Sequence, residues 1–229
     1  MRLWYNLLEE MVIFMNFKAI IFDLDGTLLN TLGDLNASTN YALEKYGYDS
    51  VTIEETRIFI GNGIKKLIER SLKKEVENFD DVFNTFKSHY KENCCNKTIP
   101  YDGVYDLLDY CKNNNIKIGV LSNKAQKPLE EVCNYYFKGY FDIIVGDREN
   151  LNKKPAIDGL VLVAKHYGIN IEDILYIGDS EVDVKTVNNA NCLGLFVSYG
   201  FRGRDVLDSC GATKIVDTPY EIINILDVK

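Results

Sequence analysis

The spacing of apolar residues changes period along this chain, and the changes mark out its parts. Ala19-Ile20-Ile21-Phe22 is a short apolar run with β-branched residues at its centre, which suits a strand buried on both faces of a parallel sheet. From residue 33 to residue 98 the period is helical. One helix is expected over Asp34 to Tyr46, stopped by Gly47, and a second from the capping box Thr52-Ile53-Glu54-Glu55 through Ile60. Gly61-Asn62-Gly63 interrupts the pattern and Ile64 to Leu72 resumes it. Asn78 to Asn93 then carries a stripe of Phe79, Val82, Phe83 and Phe86. Thr98 to Gly103, punctuated by Pro100, reads as a return linker.

From Val104 onward helix and strand alternate. Strands are expected at Ile116 to Leu121, Phe141 to Val145, Ile174 to Ile177, Leu193 to Val197 and Lys214 to Val216. Helices are expected at Val104 to Lys112, Pro128 to Phe137, Pro155 to Tyr167, Val182 to Ala190 and Pro219 to Leu226. This alternation specifies an α/β fold, a Rossmann-like parallel sheet with helices on both faces, carrying an all-helical insert after its first strand. The expected division is an extension at 1–16, a core made of 17–32 and 99–229, and a helical domain at 33–98. Within the extension, Leu3, Leu7 and Met11 form a helical stripe, while Glu9 and Glu10 argue against an export signal. It reads as an extension without function, with a docking helix as the alternative.

Ligands of open α/β sheets bind outside the carboxyl ends of the strands. Here those ends are Asp23 and Asp25, Ser122 and Asn123, Asp147, and Asp179 with Asp183. Alternation along a strand points Asp23 and Asp25 the same way and Leu24 back to the core. Two carboxylates roughly 7 Å apart repel unless compensated. Mg²⁺, which prefers oxygen ligands, is the natural compensator. Gly26 and Thr27 turn the chain, and glycine lets a backbone N–H approach an anion. A plain hairpin turn is the alternative, but the sequence after Thr27 is helical.

Composition narrows the function further. Apolar residues make up 46% and charged residues 26% of the 229, as in ordinary globular proteins. A net charge of −8 gives a nucleic-acid role no electrostatic support. Residues 33–98 hold 11 acids against 10 bases, so nearly all of that charge falls on the core. Cys94, Cys95, Cys111, Cys133, Cys192 and Cys210 form no C-x-x-C pair, and reduced thiols in a cytoplasmic protein are expected. No apolar run reaches 18 residues, so no membrane span is expected.

Asp23-Leu24-Asp25-Gly26-Thr27, Ser122-Asn123, Lys154-Pro155 and Gly178-Asp179 with Asp183, in this order, resemble the four motifs of the haloacid dehalogenase-like hydrolases. The resemblance covers Phe17 to the end. The insert is similar to the small helical cap of the phosphoglycolate phosphatase-like branch, with Phe59 to Arg70 as its substrate-facing segment. This implies a Mg²⁺-dependent phosphatase for a small phosphorylated metabolite, acting as a monomer or weak homodimer. Asp23 would be the nucleophile and Asp25 the general acid and base. Asp23, the Asp25 carbonyl and Asp179 would hold the metal, with Asp183 as a supporting acid. Ser122, Lys154 and the N–H groups after Asp23 and Asn123 would hold the phosphoryl oxygens. Pro155, at an expected helix start, singles out Lys154 over Lys153. Ile157 and Asn191 depart from the family's usual proline and glycine. His89 and His166 match no motif.

For selectivity, Gly61, Asn62 and Gly63 are the expected contacts, with a plain interhelical turn as the alternative. Arg57 is a candidate for a substrate carboxylate, or an ordinary surface arginine. The insert is expected to be the sole source of discrimination. Mutase, pyrophosphatase and nucleotidase activities, or a non-catalytic binding role, are the competing readings.

Overall fold

The computed structural model describes residues 17–227; the expectations for residues 1–16 lie outside them. Strand β1, Ala19–Phe22, lies in the middle of a six-stranded sheet. The others are β4 (Lys117–Ala125), β5 (Ile143–Asp147), β6 (Ile174–Gly178), β7 (Leu193–Val197) and β8 (Ile215–Val216). Their order is β5-β4-β1-β6-β7-β8 and every pairing is parallel. Ile21 of β1 lies level with Gly119 on one side and Tyr176 on the other. The chain runs outward from β1 in both directions. That places a topological switch point, and with it the crevice for a ligand, at the carboxyl ends of β4, β1 and β6.

Strand alternation divides the core in two. Ile20 and Phe22 pack on one face against helices α5 (Val104–Asn113), α6 (Gln126–Tyr136) and α10 (Pro219–Asp227). Ile21 packs on the other against α7 (Asp158–Tyr167) and α8 (Glu181–Ala190), with Leu207 of α9 (Arg204–Ser209) beside them. No residue of β1 is exposed, which is why the run is apolar throughout. Asn191 ends α8 in a left-handed conformation, φ +50°, which asparagine tolerates in place of glycine.

The insert is a helical cap with its own apolar cluster. It contains α1 (Leu32–Lys45), α2 (Ile53–Phe59), α3 (Ile64–Leu72) and α4 (Phe79–Asn93). The capping box at the start of α2 forms as expected. The stripe on α4 is shifted: Val82, Phe86 and Tyr90 are buried, whereas Phe79 and Phe83 are half-buried and stack on each other. A two-residue antiparallel pair, Leu29–Asn30 (β2) with Ile99–Pro100 (β3), joins cap to core. Buried Asp34 ties the same junction, accepting from Lys97 N, Thr98 N and Thr98 Oγ1. These strands and α9 are too short for periodicity to reveal. No helix among the described residues is long and apolar enough to cross a membrane.

Candidate active site

The segments at the carboxyl ends of β1, β4, β5 and β6 deliver the acids and bases to one place. Asp23 follows β1, and its N–H donates to Ile177 O of β6 (2.8 Å), which ties this corner to the neighbouring strand. Leu24 returns to the core, fully buried, as alternation requires. Lys154 Nζ lies 3.0 Å from Asp23 Oδ2, 2.7 Å from Asp183 Oδ1 and 2.8 Å from Tyr176 Oη. Burial alone would lower the pKa of this lysine, but the carboxylates of Asp183 and Asp23 raise it above the ordinary value. Lys153 turns outward to Asp147. The lysine singled out from sequence is therefore the buried one, although for a different reason. Pro155 does not start a helix, since α7 begins at Asp158.

Asp183 is fully buried on α8. Its Oδ1 accepts from Lys154 and Tyr176, and its Oδ2 from Ser180 N and Oγ. Burial opposes its charge, but Lys154 overcomes this and holds the carboxyl below the usual range. Asp179 has no cation of that kind. Its oxygens accept from Phe201 N (2.7 Å) and Thr27 Oγ1 (3.4 Å), and burial pushes its pKa well up, with Asp183 and Asp23 adding to the effect. The Asp23 carboxyl is pushed up to about 6, by burial first.

Carboxylate oxygens of Asp23, Asp179 and Asp183 lie within 4.8 Å of one another. Three buried acids have one lysine between them, and two of them resist ionisation for want of further positive charge, which a cation would supply. Oxygen-only donors suit a hard divalent ion. The residues therefore fit a metal.

Gly26 and Thr27 serve this cluster rather than an anion. The Gly26 N–H donates to Leu29 O at 2.9 Å and the Thr27 N–H to Leu24 O at 3.2 Å, so neither is free for a phosphoryl oxygen. Gly26, at φ +91°, is needed for another reason: a Cβ there would stand 2.2 Å from Asp179 Oδ2. Gly200 is equally constrained, because its Cβ would lie 2.3 Å from Gly26 O.

Asp23, Asp25, Ser122, Asn123, Lys154 and Asp179 line a cavity of about 50 Å³ beneath the cap. Gly61 and Gly63 line its cap side with Leu35, Ile60 and Ile64. Asn123 Nδ2 reaches both Gly61 O (3.3 Å) and Lys154 O (3.1 Å), so one amide links cap loop and core. Asn62 and Arg57 do not line the cavity. The Asn62 side-chain oxygen accepts from Arg70, and the Arg57 guanidinium pairs with Glu54.

Three residues escaped the sequence reading. Phe201 and Arg202, on the loop after β7, line the cavity from the core side, so the insert is not the sole source of contacts. Phe201 packs into the cap cluster. Arg202 pairs with Glu181 at 2.8 Å and donates to the backbone oxygens of Arg57 and Ile60 in the cap. Lys124 is the third; buried, it holds Asp25 at 3.1 and 3.3 Å. It lies two residues after Ser122, where the pairing of β4 with β5 is irregular, so strand alternation gave no signal for it.

A family model described as haloacid dehalogenase-like hydrolase matches residues 20–197. The chain belongs to the haloacid dehalogenase-like hydrolases. It is 32% identical over 219 residues to the phosphoglycolate phosphatase of Nitrosococcus oceani, covering 91% of this chain and 96% of that one. It is 29% identical over 219 residues to the N-acetylmuramic acid 6-phosphate phosphatase of Pseudomonas aeruginosa, covering 93% and 96%. A crystal structure of a protein described as a phosphoglycolate phosphatase, from Lactobacillus delbrueckii, superposes with a TM-score of 0.88 at 30% identity. It covers 94% of this hydrolase and 100% of the other chain. The hydrolase is thus a member of the phosphoglycolate phosphatase-like branch.

Proposed function

We propose that this phosphatase hydrolyses small phosphomonoesters, phosphoglycolate foremost, through an aspartyl-phosphate on Asp23. The observation that carries the reading is the buried group of Asp23, Asp179, Asp183 and Lys154 opening on a small cavity. A single water needs roughly 10–15 Å³ of such space. About 50 Å³ therefore suits a phosphoryl group with a small remainder better than a nucleotide. The Nitrosococcus relative supports phosphoglycolate as the leading substrate.

In the proposed reaction an Asp23 oxygen bonds to phosphorus as the ester P–O bond breaks, and the leaving oxygen takes a proton from Asp25. A water then attacks phosphorus and gives its proton to Asp25, the bond to Asp23 breaks, and inorganic phosphate leaves. Ser122 and Lys154 hold phosphoryl oxygens throughout, so most of the catalysis is positioning and charge neutralisation. Mg²⁺ held by Asp23, Asp179 and the Asp25 carbonyl would neutralise charge on the phosphoryl oxygens when bound. Asp183, both of whose oxygens already accept from other groups, would support Lys154 and the metal ligands from behind.

We assign the cap to residues 33–98 and the core to 17–32 and 99–229; the apolar cluster of the insert, whose buried members include only Leu32 and Phe201 from outside it, supports this division. Six unpaired cysteines support a cytoplasmic setting. The test is a panel of phosphate esters assayed with Mg²⁺ and with chelator. Phosphoglycolate should rank first, and chelation should abolish turnover reversibly. Failure to release phosphate from any ester would overturn the proposal.

A further inference from the structure

We propose that Lys124 is a positioning residue for Asp25 and that Tyr90 of the cap makes this positioning conditional on cap docking. The inference rests on the reading of Asp25 as general acid and base.

Lys124 sits on β4 with its side chain 4% exposed, while that of Asp25 is 17% exposed and lines the cavity. Both side chains border the cavity, the carboxylate the more exposed of the two. An ammonium so placed is unfavourable unless each of its donors is matched. Lys124 has three N–H donors and three acceptors: Asp25 Oδ1 at 3.1 Å, Asp25 Oδ2 at 3.3 Å and Tyr90 Oη at 2.7 Å. Contacts to both oxygens restrain rotation of the carboxylate, and that rotation decides which oxygen meets the leaving group.

The third acceptor comes from elsewhere in the chain. Tyr90 is on α4 and its ring lies within the apolar cluster of the cap, stacked on Phe86 at 5.5 Å. Moving the cap off the core takes this hydroxyl away and opens Lys124 to water, which competes for its donors and frees the ammonium to turn from Asp25. Closing the cap restores the contact. Docking of the roof and orientation of the proton donor thus become one event.

Such a role has a chemical signature. Asp25 protonates the leaving oxygen, so a misplaced Asp25 is most damaging where that oxygen is strongly basic. Aryl oxides of low basicity leave without a proton. The experiment measures kcat/KM, which reports the first, phosphoryl-transfer step, for Lys124→Met and Tyr90→Phe over alkyl and aryl phosphates of graded leaving-group basicity. General acid catalysis is worth roughly 10²–10⁴-fold, so Lys124→Met should lose about that much on alkyl esters and under about tenfold on 2,4-dinitrophenyl phosphate. Tyr90→Phe, which keeps the packed ring, should show the same graded pattern at smaller size. Lys124→Met should also show a burst of dinitrophenolate before a slow steady state, because Asp25 activates the water of the second step.

Equal losses on every leaving group would overturn the inference, since they mark a structural role. A rise in KM confined to esters with a second anionic group would also overturn it, making Lys124 a substrate contact. Both outcomes leave a working wild-type phosphatase. Only a wild-type enzyme that hydrolyses no ester removes the underlying reading. If Lys124→Met does not fold, the graded pattern of Tyr90→Phe decides.

Discussion

Two buried lysines hold the acids of the site, one in its floor and one beneath its roof. Lys154 meets Asp23, Asp183 and Tyr176, all contributed by the core. Lys124 meets Asp25 and Tyr90, and Tyr90 comes from the cap. Each device is an ammonium between carboxylate and phenol oxygens, with the ring nearby at 5.5 Å for Tyr176 and 4.8 Å for Tyr90. The difference is one of dependence. All partners of Lys154 are core residues, so the proposed nucleophile Asp23 is held without any contact from the cap. The group around Asp25, the proposed acid and base, includes a hydroxyl supplied by the cap. On the proposed roles, phosphate would bind to the floor before the cap closes and proton transfer would await closure.

The largest effect should come from the floor. Asp23→Asn should lower turnover on the order of 10⁶-fold, as loss of a nucleophile does elsewhere, with an unchanged circular dichroism spectrum. Retention of even a few per cent of activity would exclude the covalent route.

Next comes Lys154→Met, which leaves Asp23 and Asp183 buried without a cation. Breaking a buried pair in this way costs about 3–5 kcal/mol. Urea denaturation should show a larger loss for Lys154→Met than for Lys124→Met, because Asp25 borders the cavity and water can reach it. The reverse order would mean that the contact to the cap is the main structural tie.

A smaller effect links metal to pH. The folded-state carboxyl of Asp23 sits at about 6 against an ordinary 3.8. Between those values the native protein keeps a proton that the unfolded chain has released. The contribution of Asp23 to the stability of the metal-free protein should therefore fall as pH rises from about 4 to about 6, which comparison with Asp23→Asn would isolate. A bound cation takes the place of that proton. The rise in Tm on adding Mg²⁺ should be slight at pH 4 and complete by pH 7; a rise independent of pH would place the ion outside this cluster.

The smallest effect belongs to Asn62. Its carbonyl is held by Arg70 away from the cavity, so Asn62→Ala should shift kcat/KM by less than about threefold, and equally for all esters. Gly63→Ala, at φ +87° and on the cavity wall, should alter the ranking of esters instead. A change of ranking by Asn62→Ala would show that the loop turns over when substrate binds.

Much of the core was legible because its signals are local. An apolar run ending in Asp23, a capping box at Thr52 and a glycine after a helix each act over a few residues. Placing Asp23, Asp25 and Asp179 at strand ends needed only the alternation of helix and strand, although β4 runs on past Ser122 to Ala125. Two-residue strands such as Leu29–Asn30 left no trace, since a period cannot be read from two positions. That the Gly26 N–H is taken by the Leu29 carbonyl depends on the fold of the turn, which the residue types do not show.

By itself the sequence determined the α/β alternation, the helical insert and the set of acids carried to one edge of the sheet. Helix and strand periods and the chain-breaking residues are written residue by residue. Only the tertiary structure decided that β1 lies between β4 and β6, and that Arg202 rather than Arg57 faces the cavity. It also decided that Lys124 meets a tyrosine 34 positions earlier in the chain. Those pairings depend on which surfaces pack across loops of tens of residues. A lysine's sequence neighbours do not reveal whether water or a carboxylate will surround its ammonium.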